Sequence, residues 1–250
     1  MVRDARGKKR EELSLREKKA AEALIRHCRE GKVLDFPCGG GRLSRYLQGK
    51  GYDVVAADIQ PEIFKAEGIP WRSVDLNGRF DFEDQSFDAV CCVAGMEHAE
   101  NPYHVAREIK RVLKPGGYLM LQVPNFSNLT RRMRFIASGR LTKRELALAG
   151  HETPRAGSVH IACYPLENFR HVLHTAGLEI VEECPFHATW KTAFWLMPLW
   201  VPMSALGWLA SHTSARHEPI DSVRPRSMLN KEIVFVARKP ADAPSGRPTG

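Results

Sequence analysis

A chain of 250 residues, 43% hydrophobic and 26% charged, can bury one sizeable core, so one domain with appendages is expected. The six cysteines, at positions 28, 38, 91, 92, 163 and 184, include no C-x-x-C pair and no zinc-like cluster, which argues against a metal centre and for a reduced, cytoplasmic protein. Met1 to Arg10 is charged and lacks the apolar stretch of a secretory signal, so export is not expected.

The net charge of +8 is unevenly placed. Residues 1–32 carry 11 Lys/Arg against 6 Asp/Glu, residues 126–150 carry 6 against 1, and residues 211–250 carry 7 against 4. The remainder is therefore acidic, and the basic character belongs to the two ends and one insertion. A basic periphery attracts nucleic acid, anionic headgroups or a phosphorylated substrate, although a solvated surface helix and two tails account for it as well.

In chain order, residues 12–30 read as an amphipathic helix within a basic N-terminal segment, residues 1–30, with Leu13, Ala20, Leu24 and Ile25 on one face and Gly31 as its stop. Lys32 to Phe36 is a short strand, followed by the glycine-rich loop Pro37-Cys38-Gly39-Gly40-Gly41 and a helix over Arg42 to Gln48. Tyr52 to Ala57 is a second strand ending at Asp58, and Pro61 marks the first turn of an expected helix. Trp71 to Val74 is a third strand ending at Asp75. Phe87 to Ala94 is a fourth, almost wholly apolar as a central parallel strand is. A helix over Pro102 to Leu113, the turn Lys114-Pro115-Gly116-Gly117 and a fifth strand over Tyr118 to Val123 follow. Alternating strands and helices imply an α/β, Rossmann-like doubly wound, mostly parallel seven-stranded sheet with helices on both faces, and a ligand at the carboxyl ends of its strands.

Beyond that point the alternation loosens. Residues 126–160 form a basic, partly helical insertion, Leu166 to Ala176 a helix, Leu178 to Glu183 a strand and Lys231 to Ala237 a last strand, so the main domain spans 31–239. The Pro-, Gly-, Ser- and Ala-rich tail 240–250 is expected to be disordered.

The run Asp35-Phe36-Pro37-Cys38-Gly39-Gly40-Gly41 resembles the D-x-G-x-G-x-G loop of class I S-adenosylmethionine (SAM)-dependent methyltransferases of the type 11/23 kind. A bulky, charged cofactor lying against backbone at a strand end requires residues without a Cβ and a helix N-terminus for its carboxylate. Ala94-Gly95-Met96-Glu97-His98 and the run Arg107 to Gly117 are similar to the same family. The resemblance covers residues 30–125 well and 160–183 weakly.

The resemblance implies that Asp58 holds the ribose hydroxyls and that Asp75, with Leu76 beside it, approaches the adenine. Asp35, Gly39, Gly41, Ile59 and Ala94 complete the implied cofactor-binding set. One position departs from the pattern: Pro37 stands where the family has its first glycine, and a proline has no amide hydrogen to offer. The implied reaction is transfer of an activated methyl group to an aligned acceptor, an alignment that can contribute about 7 to 11 kcal/mol. If the acceptor is a hydroxyl, His98 after the fourth strand is the first candidate for a general base and His160 the second, with His151 beside it.

A nicotinamide dehydrogenase fits less well, because Ser44 stands where the third glycine of that loop belongs. A catalytically silent binding subunit and an RNA methyltransferase are further alternatives. Yet only Phe126 and Phe135 interleave the basic insertion around Arg131, Arg132, Arg134, Arg140, Lys143 and Arg144, so nucleic acid is not an expected partner. A small-molecule, sugar or lipid-linked acceptor is. Residues 190–210 hold four of the five tryptophans, and no charge occurs from Thr192 to Ala215. Pro198 and Pro202 argue against a spanning helix, which leaves an apolar cap over the substrate site or a peripheral contact with an anionic membrane.

Overall fold

The computed structural model describes residues 13–141, 160–186 and 228–241, with single positions between 194 and 209. The expected His151, most of the apolar segment 190–210 and the tail from 242 onward lie outside the described residues.

Seven strands form one sheet: β1 (Lys32–Asp35), β2 (Asp53–Asp58), β3 (Trp71–Ser73), β4 (Phe87–Val93), β5 (Leu113–Pro124), β6 (Glu179–Phe186) and β7 (Glu232–Arg238). Their order is β3-β2-β1-β4-β5-β7-β6; the first five are parallel and β7 runs antiparallel to both its neighbours. The order reverses between β1 and β4, and their carboxyl ends open a crevice there.

The central strands are apolar on both faces because helices cover both. Val33, Ala89, Cys91, Met120 and Val234 face α1 (Leu15–His27) and α2 (Arg42–Gln48). Leu34, Val90, Leu119, Leu121 and Phe235 face α3 (Pro102–Val112) and α5 (Leu166–Thr175). Successive residues alternate between the two cores, as the pleat demands. The N-terminus of α1 is fixed by a capping box: Glu17 donates its amide to Ser14 Oγ at 3.2 Å, and Ser14 donates its own to Glu17 Oε2 at 2.7 Å.

Two local expectations are corrected. The segment after Pro61 forms only a 3-10 turn, Pro61–Ile63, because Gly68 and Pro70 close it before a helix can propagate and Phe64 and Ala66 are used to pack against Gly41. Lys114 to Gly117 does not precede the fifth strand but lies within it. Leu113 pairs with Phe87, pairing resumes at Tyr118 opposite Ala89, and Gly116 takes φ +78° in the bulge between.

The insertion begins with α4 (Leu129–Ser138), capped by Asn128, whose side chain accepts the Arg131 amide at 3.0 Å. This helix exposes Met133, Phe135 and Ile136, the last at 75%. The described positions Phe194, Met197, Val201 and Leu209 are helical and exposed. No helix among the described residues is long and apolar enough to cross a membrane.

The irregular loop from Asp75 to Ser86, whose first residues border the crevice, is held by one guanidinium. Arg111 donates to the carbonyls of Phe80 and Phe82, each at 2.8 Å, and to the carboxylates of Asp84 and Glu108, each at 2.7 Å. Glu108 in turn accepts the Phe80 amide at 2.9 Å. Arg111→Ala should destabilise the protein by about 2 to 3 kcal/mol, since hydrogen bonds to a charged group are lost together. Arg111→Lys should recover little of it, because an ammonium cannot span four acceptors. Urea denaturation checks this, and a variant within about 0.5 kcal/mol of the parent would show that the loop holds itself.

Candidate functional site

The site begins at the end of β1. Pro37, joined to Phe36 by a cis peptide, lies so close to Gly95 that a Cβ on Gly95 would fall 2.3 Å from the proline Cδ. Gly95 supplies the absent side chain that lets the two loops meet. Cys38 donates its amide to the Ala57 carbonyl at 2.8 Å, and Gly39 donates its own to Asp58 Oδ2 at 2.8 Å. Gly39 takes φ +51°, and nothing lies within 4 Å of where its Cβ would be. That vacancy faces the cleft, as a ligand cradled against backbone requires. Gly41 serves differently. At φ +77° it caps α2, its missing Cβ would meet Ala66 and Phe64 at 2.7 Å, and it does not line the cleft.

The cleft has two lobes that share Pro37, Gly39, Val93 and Ala94. The larger, of about 540 Å³, is lined by Asp58, Ile59, Asp75, Leu76, Ala94 and His98 among the expected residues. That volume lies within the usual range for a small-molecule site. Asp58 is buried; its second oxygen accepts the Gln60 amide at 3.1 Å, so the same carboxylate that holds the glycine loop borders the cavity. Asp75 accepts the Asn77 amide at 2.9 Å, which turns the chain so that Leu76 and Asn77 border the lobe. Ala94 holds φ +51°, an unusual conformation for a residue with a Cβ, and donates its amide to the Gln122 carbonyl at 3.1 Å.

The smaller lobe, of about 420 Å³, is lined by Ser14 to Glu17 of α1, by Asp35 and by Arg42. Asp35 is 1% exposed and accepts a hydrogen bond from Ser44 Oγ at 2.5 Å; burial pushes its carboxyl up to about 7. Arg16 lies 3.4 Å from Glu232, and Arg42 donates to Glu17 at 2.9 Å. Arg42 reaches the site as the first residue of α2, directly after the glycine loop, whereas only the docking of α1 brings Arg16 there.

A 3-10 turn, Met96–His98, follows β4 and brings His98 to the larger lobe. The Glu97 carbonyl accepts the amides of Ile161 at 2.9 Å and Ala162 at 3.0 Å. This pins the returning chain so that the rings of His98 and His160, 62 positions apart, lie 4.9 Å from each other. His160 also meets Phe126 edge-on at 5.7 Å, and Arg131 stacks over that phenylalanine at 4.2 Å. Burial, with His98 and Arg131 alongside, pushes His160 down to about 4. Glu97 was visible in sequence but was given no role. It is 1% exposed, both its carboxylate oxygens lack a hydrogen-bond partner among the described residues, and burial pushes it up to about 7.

The fold agrees with comparisons against known proteins. Over 105 residues the chain is 35% identical to a ubiquinone biosynthesis O-methyltransferase of Xanthomonas oryzae pv. oryzae, a match covering 38% of this chain and 43% of that protein. The chain therefore matches less than half the length of that relative. A SAM-dependent methyltransferase from Mesorhizobium loti superposes with a TM-score of 0.55 at 14% identity, covering 90% of this chain and 98% of the other. The 1,6-didemethyltoxoflavin-N1-methyltransferase of Burkholderia thailandensis, solved with its substrate and S-adenosylhomocysteine, gives 0.55 at 14% identity, covering 90% and 79%. At such identities the likeness is one of fold. Residues 6–183 match the family model described as a methyltransferase domain, and the chain belongs to that family.

Proposed function

We propose that the protein transfers a methyl group from SAM to a hydroxyl of a small-molecule or lipid-linked acceptor. The observation that carries this reading is the two-lobed cleft arranged around Gly39 and Asp58 at the point where the strand order reverses. An open cradle beside Gly39, a carboxylate beneath it and a separate lobe with Asp35, Arg16 and Arg42 fit a nucleoside joined to an amino acid. Asp58 and Ile59 would hold the ribose, Asp75 and Leu76 the adenine edge, and Gly39, Ala94 and Asp35 the amino-acid portion, with the two arginines near its carboxylate. When bound, SAM supplies an activated sulfonium methyl. The chain aligns the acceptor and excludes water. His98, which lines the larger lobe, and His160 beside it would assist loss of the acceptor proton. The likeness to the Xanthomonas ubiquinone biosynthesis O-methyltransferase supports oxygen as the atom methylated.

SAM and S-adenosylhomocysteine should raise the melting temperature, whereas NAD should not. Asp58→Ala should weaken SAM binding by about 1.5 to 3 kcal/mol, the worth of hydrogen bonds to a charged group. His98→Ala should keep the thermal shift and lose turnover. A parent protein stabilised by NAD alone would overturn the reading.

Asp35 makes binding depend on pH. In the free protein its carboxyl is held protonated up to about 7, and a cation in the smaller lobe favours the ionised form. Binding therefore releases a proton, and affinity for SAM should rise by up to about tenfold per pH unit below 7 and level off above it. Calorimetry in two buffers of different ionisation enthalpy would detect the proton, and Asp35→Asn should flatten the profile. The same shift costs stability: the burial is without penalty below the unfolded value of 3.8 and destabilises increasingly as pH rises to about 7.

A second reading, that the protein docks on an anionic membrane to reach a lipid-linked acceptor, is supported by α4, which joins exposed Met133, Phe135 and Ile136 to Arg134 and has no acid of its own. Phe194, Met197, Val201 and Leu209 are exposed apolar side chains as well. The protein should co-sediment with phosphatidylserine vesicles at low salt and less so at high salt, and Ile136→Asp should reduce the bound fraction severalfold. Protein left in the supernatant at both salt concentrations would remove this reading.

A further inference from the structure

We propose that Glu97, His98 and His160 form a binding site for one divalent first-row transition cation at the acceptor end of the cleft. One ligand atom from each residue lies within 4.8 Å of the other two. Ligands held about 2.1 Å from a metal sit roughly 3 to 4 Å apart, so rotation of side chains by about an ångström closes the set. No backbone movement is required, because the Glu97 carbonyl already fixes both Ile161 and Ala162, next to His160.

The independent observation is the state of Glu97. A carboxyl 1% exposed with neither oxygen hydrogen-bonded is costly unless a partner completes it. The nearby charges do not supply that partner. Arg131 and Arg16 are within electrostatic reach of Glu97, as is Glu232, yet Arg131 stacks on Phe126 and Arg16 lies against Glu232. No ion pair joins Glu97 to either arginine among the described residues. A cation at this position satisfies the carboxylate.

Two imidazoles and one carboxylate favour zinc or iron over magnesium, and three protein ligands leave positions open. His98 lines the larger lobe, so a cation held by it would border that lobe. The chemical consequence rests on the methyltransferase reading, whereas the site does not. An acceptor hydroxyl on the cation would be acidified; its O–H proton passes to solvent, the new O–CH3 bond forms and the S–CH3 bond breaks, leaving a neutral thioether.

The test uses the full chain stripped with a chelator. Titration calorimetry should show one Zn²⁺ bound per chain in preference to Mg²⁺, and Co²⁺ should give visible absorption of a nitrogen- and oxygen-ligated site. Glu97→Gln and His160→Ala should each weaken Zn²⁺ binding by at least about 100-fold, since even outer partners of metal ligands are worth 10- to 100-fold. Both should keep the SAM thermal shift, which also verifies that they fold. Zn²⁺ binding that is absent, or equal in parent and in whichever variant folds, overturns the proposal. A parent that binds Zn²⁺ but shows no SAM shift overturns the methyltransferase reading and leaves the site standing.

Discussion

The hydrogen bond from the Gly39 amide to the Asp58 carboxylate is the contact on which the site depends. It ties the end of β1 to the end of β2, two strands that meet side by side in the sheet but carry no covalent link nearer than 19 residues. With Cys38 bonded to the Ala57 carbonyl, the loop is held open instead of collapsing onto the helix it precedes. The carboxylate has capacity left after accepting Gly39 and Gln60, since two oxygens offer about four acceptor positions. One side chain can therefore support the loop and face a ligand. Its removal would have two effects, loss of a ligand contact and release of the cradle, and an amide replacement separates them better than alanine does.

A second junction builds the opposite wall. The Glu97 backbone accepts two amides from the segment entering α5, while its side chain points into a buried space without a partner among the described residues. The backbone contacts account for the approach of His98 to His160, and the side chain turns that approach into a polar cluster. Phe126 and Arg131 close its outer side. Buried polar groups of this kind reduce stability, and such clusters beside a cleft are found where chemistry is carried out.

The family resemblance and the strand-helix alternation were legible because both are local. Apolar runs of strand length, acids at Asp35, Asp58 and Asp75, and glycines at 39 to 41 follow one another along the chain. Pro37 was legible only as a departure. Its close packing against Gly95 needs knowledge that β1 and β4 are neighbours, and those strands are more than 50 residues apart. Gly41 shows the reverse limit: the motif marks it as a cofactor residue, and its steric role against Phe64 and Ala66 appears only once the 59–70 segment has folded over it.

The sequence by itself determined the sheet, its helices, the glycine loop and the row of acids at the strand ends, because period and residue type act over a few neighbours and need no partner from elsewhere. Tertiary structure decided what crosses the chain: the bulge that absorbs Lys114 to Gly117, the arginines that α1 and α2 deliver to the second lobe, and the meeting of Glu97 and His98 with His160. The physical reason is burial. Whether a carboxylate is a solvated cap or an unpartnered group in a cleft depends on which distant backbone excludes water from it, and no spacing along the chain records that.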